Sequence, residues 1–314
     1  MHSNSTKSCL GGDTVVGGVN ALRLIRTAAV TRWWVIFCLS FWCVGLAAAQ
    51  GAQNGQNALP LKLGIMPFNS ALALIKTHQP LRQHLQASLG RPIDIFTSAD
   101  YFTFLNEVLD GHFDLAIAGP HFGSMAMERG WVPLFRYKAV LQPLFVVRTG
   151  SGINTLEDLR GKRIGLSSRL SISSIGGVKW LQDHGLHLDK DYRLFERSTH
   201  GAAVAAVAVG DLDAALTTYT PLKQIPEDVR AKVTVLPLDI SVPHLMTLAN
   251  PRLGKPEIQK IKQALLRFSV DSTAGTDFFR ETGYLGYEEV TAADIRALKP
   301  YVDLTLRMIS QSQP

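Results

Sequence analysis

Hydrophobic residues after position 58 occur alternately in short apolar runs and in longer stretches where they stand three or four positions apart. The short runs predict strands and the longer stretches predict helices. In chain order, the pattern predicts a strand at 61–66, a helix ending at residue 89, a strand at 92–96, a helix at 101–109 and a strand at 114–118. This order is typical of parallel strands connected by helices.

The same alternation begins again after residue 155. It predicts strands at 163–166, 192–196 and 213–216 and helices at 176–184 and 200–209, followed by a mostly helical tail from 256 to 309. We therefore predict an α/β fold with two α/β lobes joined by a hinge. Chain crossings near 141–147 and 243–248 are predicted to place residues 59–142 and 246–314 in the first lobe and residues 143–245 in the second.

Residues 1–49 have the pattern of a secretory signal peptide. Three arginines precede an apolar stretch, and an A-x-A site stands at 47–49, just before Gln50. An uncleaved membrane anchor is the alternative, since residues 33–49 comprise 17 residues and reach the short limit of a bilayer span. The polar, small residues 50–58 predict a flexible lead-in to the folded part.

The composition fits an exported globular protein. The chain has 314 residues, of which 46% are hydrophobic and 18% are charged, and this length favours about two domains. Half of the formal net charge of +6 lies in residues 1–49, and no run of Lys and Arg follows, so we expect no nucleic-acid binding. The cysteines, Cys9, Cys38 and Cys43, all lie in the leader, which excludes disulfides and a thiol nucleophile from the mature chain.

The sequence indicates no catalytic, metal or cofactor site. No G-x-S-x-G elbow is present, and the histidines follow no H-x-x-x-H or H-E-x-x-H spacing. We interpret them as scattered surface residues: His78, His84, His112, His121, His184, His187, His200 and His244. A serine paired with His200 as nucleophile and base is the enzymatic alternative, although no third group that would orient this histidine can be identified.

Two segments that follow predicted strands carry hydroxyl groups. They are Ser171–Ile172–Ser173–Ser174 and Ser198–Thr199–His200, and each stands where a helix begins. Open α/β sheets bind ligands beyond the carboxyl ends of their strands, and helix N-termini with neutral donors suit an oxyanion. Ordinary helix capping is the alternative explanation for each segment taken alone.

Several short motifs stand at further strand ends and helix starts. They are G-x-x-P at 64–67, P-L-x-x-x-L at 80–85, D-Y at 100–101, G-x-x-D at 111–114 before a Gly-Pro turn, and L-x-D-L-x-G-K at 156–162. Together with the serine-rich loop and the helix start at His200, they resemble the phosphate/phosphite/phosphonate-binding proteins of ABC importers. The resemblance covers about residues 60–310 and is most specific in the first lobe.

This resemblance implies a bilobed, type II-like periplasmic binding protein that closes over a phosphorus oxyanion. It implies that Ser171, Ser173 and His200 hold the oxyanion and that Tyr101 contributes from the opposite lobe. Two positions depart from the family pattern, because Ile172 stands where the family has Thr and Ser174 where it has Gly. Arg169 could compensate with a charge-assisted contact to the anion. The remaining candidate ligand-binding residues are Ser174, Pro67 and Tyr219.

The same resemblance implies a ligand and a partner. No acid occurs at 217–220 or 241–244, and a buried ammonium group without a carboxylate is costly, so we expect 2-aminoethylphosphonate to bind poorly. A small oxyanion or an apolar alkylphosphonate is favoured. The expected partner is the permease of an ABC importer. The alternative is a ligand sensor whose partner is a histidine kinase, and a more distant alternative is that the protein is itself an enzyme on the same fold. We expect a monomer in the periplasm.

Overall fold

The computed structural model describes residues 59–312. The predicted signal peptide, the flexible lead-in and the cysteines lie outside the described residues. Within residues 59–312, no helix is both long enough and apolar enough to span a membrane.

Helices and strands alternate along most of the chain. The strands are β1 Leu61–Ile65, β2 Ile93–Phe96, β3 Leu115–Ala118, β4 Val132–Tyr137, β5 Val140–Leu141, β6 Pro143–Arg148, β7 Lys162–Leu166, β8 Tyr192–Glu196, β9 Ala214–Thr218, β10 Val233–Pro237, β11 Val242–Pro243, β12 Met246–Ala249 and β13 Tyr287–Glu288. The helices are α1 Ala71–Leu89, α2 Tyr101–Leu109, α3 Pro120–Glu128, α4 Ile172–Asp183, α5 His200–Val209, α6 Tyr219–Lys223, α7 Glu227–Arg230, α8 Gly254–Asp271, α9 Thr273–Thr282 and α10 Ala292–Ser312. Two short 3-10 turns lie at Glu157–Leu159 and Pro251–Leu253.

Two separate sheets form the centres of two lobes. The first sheet has the strand order β13-β4-β12-β3-β1-β2, and the second has the order β10-β6-β9-β7-β8. In the first sheet β1 runs parallel to β2 and β3, and in the second β7 runs parallel to β8 and β9. The predicted two-lobed α/β fold is therefore confirmed.

A two-stranded ribbon connects the lobes. The strands β5 and β11 pair antiparallel, with Leu141 opposite Val242. The chain leaves β5 for β6 in the second sheet and leaves β11 for β12 in the first sheet, so it crosses between lobes twice at this ribbon. We propose that the lobes divide here as the sequence predicts, at residues 142/143 and 245/246.

Local capping explains where the helices begin. Asp100 Oδ1 accepts the N–H of Thr103 at 2.8 Å, and Thr199 Oγ1 accepts the N–H of Ala202 at 3.0 Å, so α2 and α5 start at the predicted residues. The predicted start of α4 at residue 176 is wrong. This helix begins at Ile172, because Ser171 is its N-cap and accepts the N–H of Ser174 at 3.2 Å.

The C-terminal helices complete the first lobe and reach the second. Buried residues of α8, α9 and α10 join the core of the first sheet, while α4 and α5 cover opposite faces of the second sheet. The helix α10 packs against α3 of the first lobe and also contacts α4 of the second lobe. Ile172 at the start of α4 belongs to the core of the first lobe, so the two lobes are in direct contact.

The interpretation of all the histidines as surface residues is wrong. Four of them are buried, namely His78, His121, His200 and His244. In each case at least one ring nitrogen lies within hydrogen-bonding distance of a partner, such as the Leu74 carbonyl for His78, which allows burial of a neutral imidazole. Among residues 59–312, no group of three or more His, Cys, Asp or Glu side chains is placed to hold a metal ion.

Candidate functional site

A small cavity of about 40 Å³ lies between the lobes beside the ribbon. Its lining comprises Met66, Phe68, Tyr101, Gly119, Leu141, Ser171, Ile172, Ser173, His200, Thr218, Thr220, Pro221, His244, Leu245 and Tyr284. Both lobes contribute, since Tyr101 follows β2 of the first sheet and Ser171 follows β7 of the second. This volume accommodates more than a single water molecule, which needs about 10–15 Å³. The cavity therefore suits a small ligand enclosed by both lobes.

Four helices of nine or more residues begin at this cavity. The helices α2, α3, α4 and α5 start at or beside the lining residues Tyr101, Gly119, Ser171 and His200. Helix N-termini carry a partial positive charge from unpaired N–H groups. No Asp, Glu, Lys or Arg lines the cavity. The electrostatic environment therefore favours an anion held by neutral donors and helix dipoles.

Tyr101, Ser167 and His200 form a hydroxyl and imidazole cluster across the two lobes. The Tyr101 hydroxyl lies 3.4 Å from Ser167 Oγ and 3.4 Å from His200 Nε2, and Ser167 Oγ lies 3.1 Å from His200 Nε2. Burial lowers the pKa of His200 to about 4, and Nδ1 has no hydrogen-bond partner among the described residues, so the proton of the neutral ring can reside on Nε2. Burial also raises the pKa of Tyr101 well above its ordinary value. Both side chains are therefore neutral at pH 7, and Tyr101 retains the hydroxyl proton that it can donate.

The serine segment acts as a cap and as a hydroxyl cluster at the same time. Ser171 Oγ lies 3.0 Å from Ser173 Oγ and 2.7 Å from Ser174 Oγ, and all three side chains are buried. Ser171 and Ser173 line the cavity, whereas Ser174 lies behind them. The capping explanation and the binding explanation are therefore compatible, because the same N-cap that starts α4 also presents hydroxyl groups to the cavity.

His244 fixes the direction of a further hydroxyl group. The N–H of Leu245 donates to His244 Nδ1 at 2.8 Å, so this nitrogen carries the lone pair and Nε2 carries the proton. Nε2 then donates to Thr220 Oγ1 at 3.1 Å, which leaves the Thr220 proton free to point elsewhere. Burial, reinforced by the positive charge of Arg136, lowers the pKa of His244 to about 3 and keeps the ring neutral. Thr220 is thereby turned into a hydrogen-bond donor at the cavity wall.

Four predicted site residues, Ser174 among them, do not line the cavity. Arg169 is exposed, and its Nε lies 3.1 Å from a carboxylate oxygen of Glu196. The side chain of Tyr219 is 44% exposed, and Pro67 is buried between two residues that do line the cavity. The structure thus brings together Tyr101, Ser171, Ser173 and His200, with Ser174 directly behind them.

The candidate ligand-binding residues predicted from the sequence did not include Ser167, Thr220 or His244. Ser167 follows β7 directly, so its place at a strand end was the available signal. His244 and Thr220 come together only because β11 returns to the ribbon beside α6. The sequence offers no local pattern for that contact.

Ser171→Ala is expected to lower the free energy of unfolding by about 1 kcal/mol, because the variant loses the N-cap of α4. The change would be measured by urea denaturation followed by circular dichroism. The matched control is Ser198→Ala, an exposed serine for which no side-chain hydrogen bond is formed within the described residues. Equal denaturation midpoints for Ser171→Ala and the unchanged protein would contradict this prediction.

The two lobes, the connecting ribbon and the enclosed cavity define a two-lobed binding protein. Residues 63–295 match the family described as the periplasmic substrate-binding protein of an ABC phosphonate transporter, and the chain belongs to this family. It is a family of transport proteins.

Solved structures of several binding proteins have the same fold. The PhnD1 protein of Prochlorococcus marinus, in complex with methylphosphonate, is 14% identical with a TM-score of 0.71 over 79% of this chain and 98% of that chain. A binding-protein component of an ABC phosphonate transporter from Pseudomonas aeruginosa is 14% identical, with a TM-score of 0.65, and the match covers 82% of this chain and 100% of that chain. The periplasmic aliphatic sulphonate-binding protein of Escherichia coli is 19% identical, with a TM-score of 0.56, and the match covers 82% of this chain and 95% of that chain. At these identities the likeness shows the fold.

Proposed function

We propose that this protein captures a small phosphorus oxyanion of the phosphonate class between its lobes, in the periplasm, and delivers it to the permease of an ABC importer. The observation that carries the proposal is the cavity at which four helices begin and which neutral donors from both lobes line. Membership of the phosphonate-binding family supports it. The predicted signal peptide at residues 1–49 would direct export of the protein to the periplasm.

Contacts between the lobes support capture by closure. Besides the Tyr101 cluster, Asn69 Nδ2 donates to Gln224 Oε1 at 3.1 Å, and His121 Nε2 lies 3.0 Å from the Leu170 carbonyl. Each of these contacts joins a residue of the first lobe to one of the second. A ligand that touches Tyr101 and Ser173 together stabilises the closed arrangement through its differential affinity for that state.

The lining favours an apolar substituent on the ligand over an ammonium group. Met66, Phe68, Ile172 and Leu245 provide apolar walls, and no carboxylate is present to pair with a cation. An unpaired ammonium group in such a site loses its hydration without compensation. We therefore infer that methylphosphonate, the ligand of the Prochlorococcus protein, fits this cavity better than 2-aminoethylphosphonate does.

Titration calorimetry of the exported protein, beginning at Gln50, tests this proposal. The ligands are methylphosphonate, phosphate, phosphite, sulfate and 2-aminoethylphosphonate. We expect methylphosphonate to bind with micromolar or tighter affinity and 2-aminoethylphosphonate to bind at least about tenfold more weakly. Absence of binding by every phosphorus oxyanion would overturn the proposed ligand class. Tighter binding of 2-aminoethylphosphonate than of methylphosphonate would overturn the ligand preference.

A further inference from the structure

A second and much larger cavity, of about 650 Å³, lies between α4 and α10. Small-molecule sites have volumes of about 300–1,000 Å³. One wall belongs to the second lobe, with Leu166 of β7 and Leu194 of β8 behind α4. The opposite wall is α10, which packs on the first lobe. We call this cavity the interlobe groove.

The floor of the interlobe groove is apolar on both sides. Ile175 and Val178 of α4 face it from the second lobe, and Pro300 and Leu304 of α10 face it from the first. Residues four positions apart lie on the same face of a helix, so Pro300 and Leu304 form part of one apolar stripe along α10. Val178 and Leu304 are only partly buried, which leaves apolar surface available to an occupant.

The rim of the groove carries an excess of positive charge. The lining contains five basic residues and two acidic ones, namely Arg169, Lys179, Arg296, Lys299, Arg307, Asp183 and Asp303. Each acid is already paired, because Lys179 Nζ lies 2.6 Å from Asp183 Oδ2 and Lys299 Nζ lies 3.0 Å from Asp303 Oδ1. Arg169 is likewise paired, with Glu196 outside the lining, so only the charge of two further basic residues is available for an anion.

Two arginines of α10 provide that charge. Among the described residues, neither Arg296 nor Arg307 has a carboxylate within ion-pair distance, and Arg307 Nε donates only to the Asp303 carbonyl, at 3.3 Å. The arginines are eleven positions apart, close to three full turns, so they lie on one face of α10. At 1.5 Å per residue their Cα atoms are about 16 Å apart along the helix. The apolar floor and the cationic rim of the interlobe groove therefore run side by side along α10.

We propose that the interlobe groove binds an amphipathic anion, a molecule with a medium-length aliphatic chain and one carboxylate group. The chain lies on the apolar floor between α4 and α10, and the carboxylate pairs with Arg296 or Arg307. The lead-in at residues 50–58 does not match the groove, because it contains no acid and only alanine as an apolar side chain. This site is distinct from the oxyanion cavity and does not depend on the ligand proposed there.

Calorimetric titration of the exported protein with decanoate, below its micelle concentration, tests the groove. We expect saturable binding that weakens about tenfold or more in the Arg296→Gln/Arg307→Gln double variant, since charge-assisted hydrogen bonds are lost. The matched control is Lys255→Gln/Arg267→Gln, which removes the same charge from exposed positions on α8. Butyrate and 1-decanol, which lack the long chain and the carboxylate respectively, are expected to bind at least about tenfold more weakly than decanoate.

Two outcomes would overturn the proposal. The first is absence of decanoate binding, or equal affinities for the Arg296→Gln/Arg307→Gln variant and its control. The second is loss of decanoate binding in His200→Ala, which would place decanoate in the oxyanion cavity instead. Retained decanoate binding in a protein that fails to bind methylphosphonate would leave the groove established and reject only the proposed oxyanion function.

Discussion

His200→Ala is expected to weaken methylphosphonate binding about a hundredfold, because hydrogen bonds to a charged ligand are worth about 1.5–3 kcal/mol and the variant removes one. The imidazole is buried at the cavity and lies 3.1 Å from Ser167 Oγ. Its removal also takes away the ring nitrogen that lies within hydrogen-bonding distance of the Tyr101 and Ser167 hydroxyls, so these hydroxyls are no longer oriented toward the ligand by the imidazole. Titration calorimetry at pH 7 measures the change in affinity.

The matched control for this variant is His187→Ala. His187 belongs to the same lobe but is exposed, and its side chain makes no hydrogen bond within the described part of the chain. Tyr101→Phe tests the opposite wall and is expected to weaken binding about tenfold, since a single hydroxyl donor is lost. Unchanged affinity in a folded His200→Ala protein, with folding verified by circular dichroism, would contradict the placement of His200 at the ligand.

The parts of the site that the sequence predicted are those governed by local signals. Asp100 and Thr199 are capping residues, and Gly210 with φ of 87° ends α5 in the left-handed conformation that glycine adopts easily. These signals placed Tyr101 and His200 at helix starts. Parallel strands bring such starts to one edge of a sheet, so the approach of Ser171 to His200 followed from the predicted topology, and their meeting with Tyr101 of the other lobe followed from the family resemblance.

The remaining features of the site depend on contacts between distant segments. The hydrogen bond between His244 and Thr220 forms because the chain passes α6 of the second lobe where it leaves β11 for the first lobe, and no periodicity encodes it. Arg169 was a candidate on charge alone, but Glu196 stands at the end of the neighbouring strand β8 and pairs with it. Burial of His121 and His244 was likewise invisible in the sequence, since it results from contact between the lobes and from packing against the aromatic cluster.

The neutral character of the cavity has a physical consequence for binding. The anion that we propose for this cavity would meet Tyr101, Ser171, Ser173, His200 and Thr220 as uncharged groups. Its charge is stabilised by the aligned peptide dipoles of four helices instead of by a buried cation. The empty site thus avoids the cost of holding an unpaired buried charge before the ligand arrives. Such a cavity can close over the ligand and open again without rearranging any ion pair that lines it.

The protein is expected to lose stability steeply as the pH falls from 6.5 toward 4. Burial lowers the pKa of His78, His121 and His200 to about 4 and that of His244 to about 3. An unfolded histidine has a pKa of about 6.5, so below that pH the unfolded chain takes up protons that the folded chain excludes. The shift corresponds to about 3 kcal/mol for each of His78, His121 and His200 and to about 5 kcal/mol for His244. Together these losses are comparable with the whole free energy of unfolding of a domain, about 5–15 kcal/mol, so unfolding is expected before the pH reaches 4.

Thermal denaturation followed by circular dichroism between pH 8 and pH 4 tests this expectation, with Tm falling below pH 6.5. Asp213 and Asp294 do not produce the fall between pH 6.5 and about pH 5, because their pKa values are lowered in the folded protein and the stability they provide is lost progressively only below about pH 5. His78→Gln removes one buried titrating ring from the first core and is expected to make the fall shallower. His112→Gln, at an exposed position, should leave the slope unchanged. A constant Tm between pH 6.5 and pH 4.5 would show that these rings are solvated and protonated in the folded protein, which would also remove the basis for treating His200 as a neutral group at the ligand.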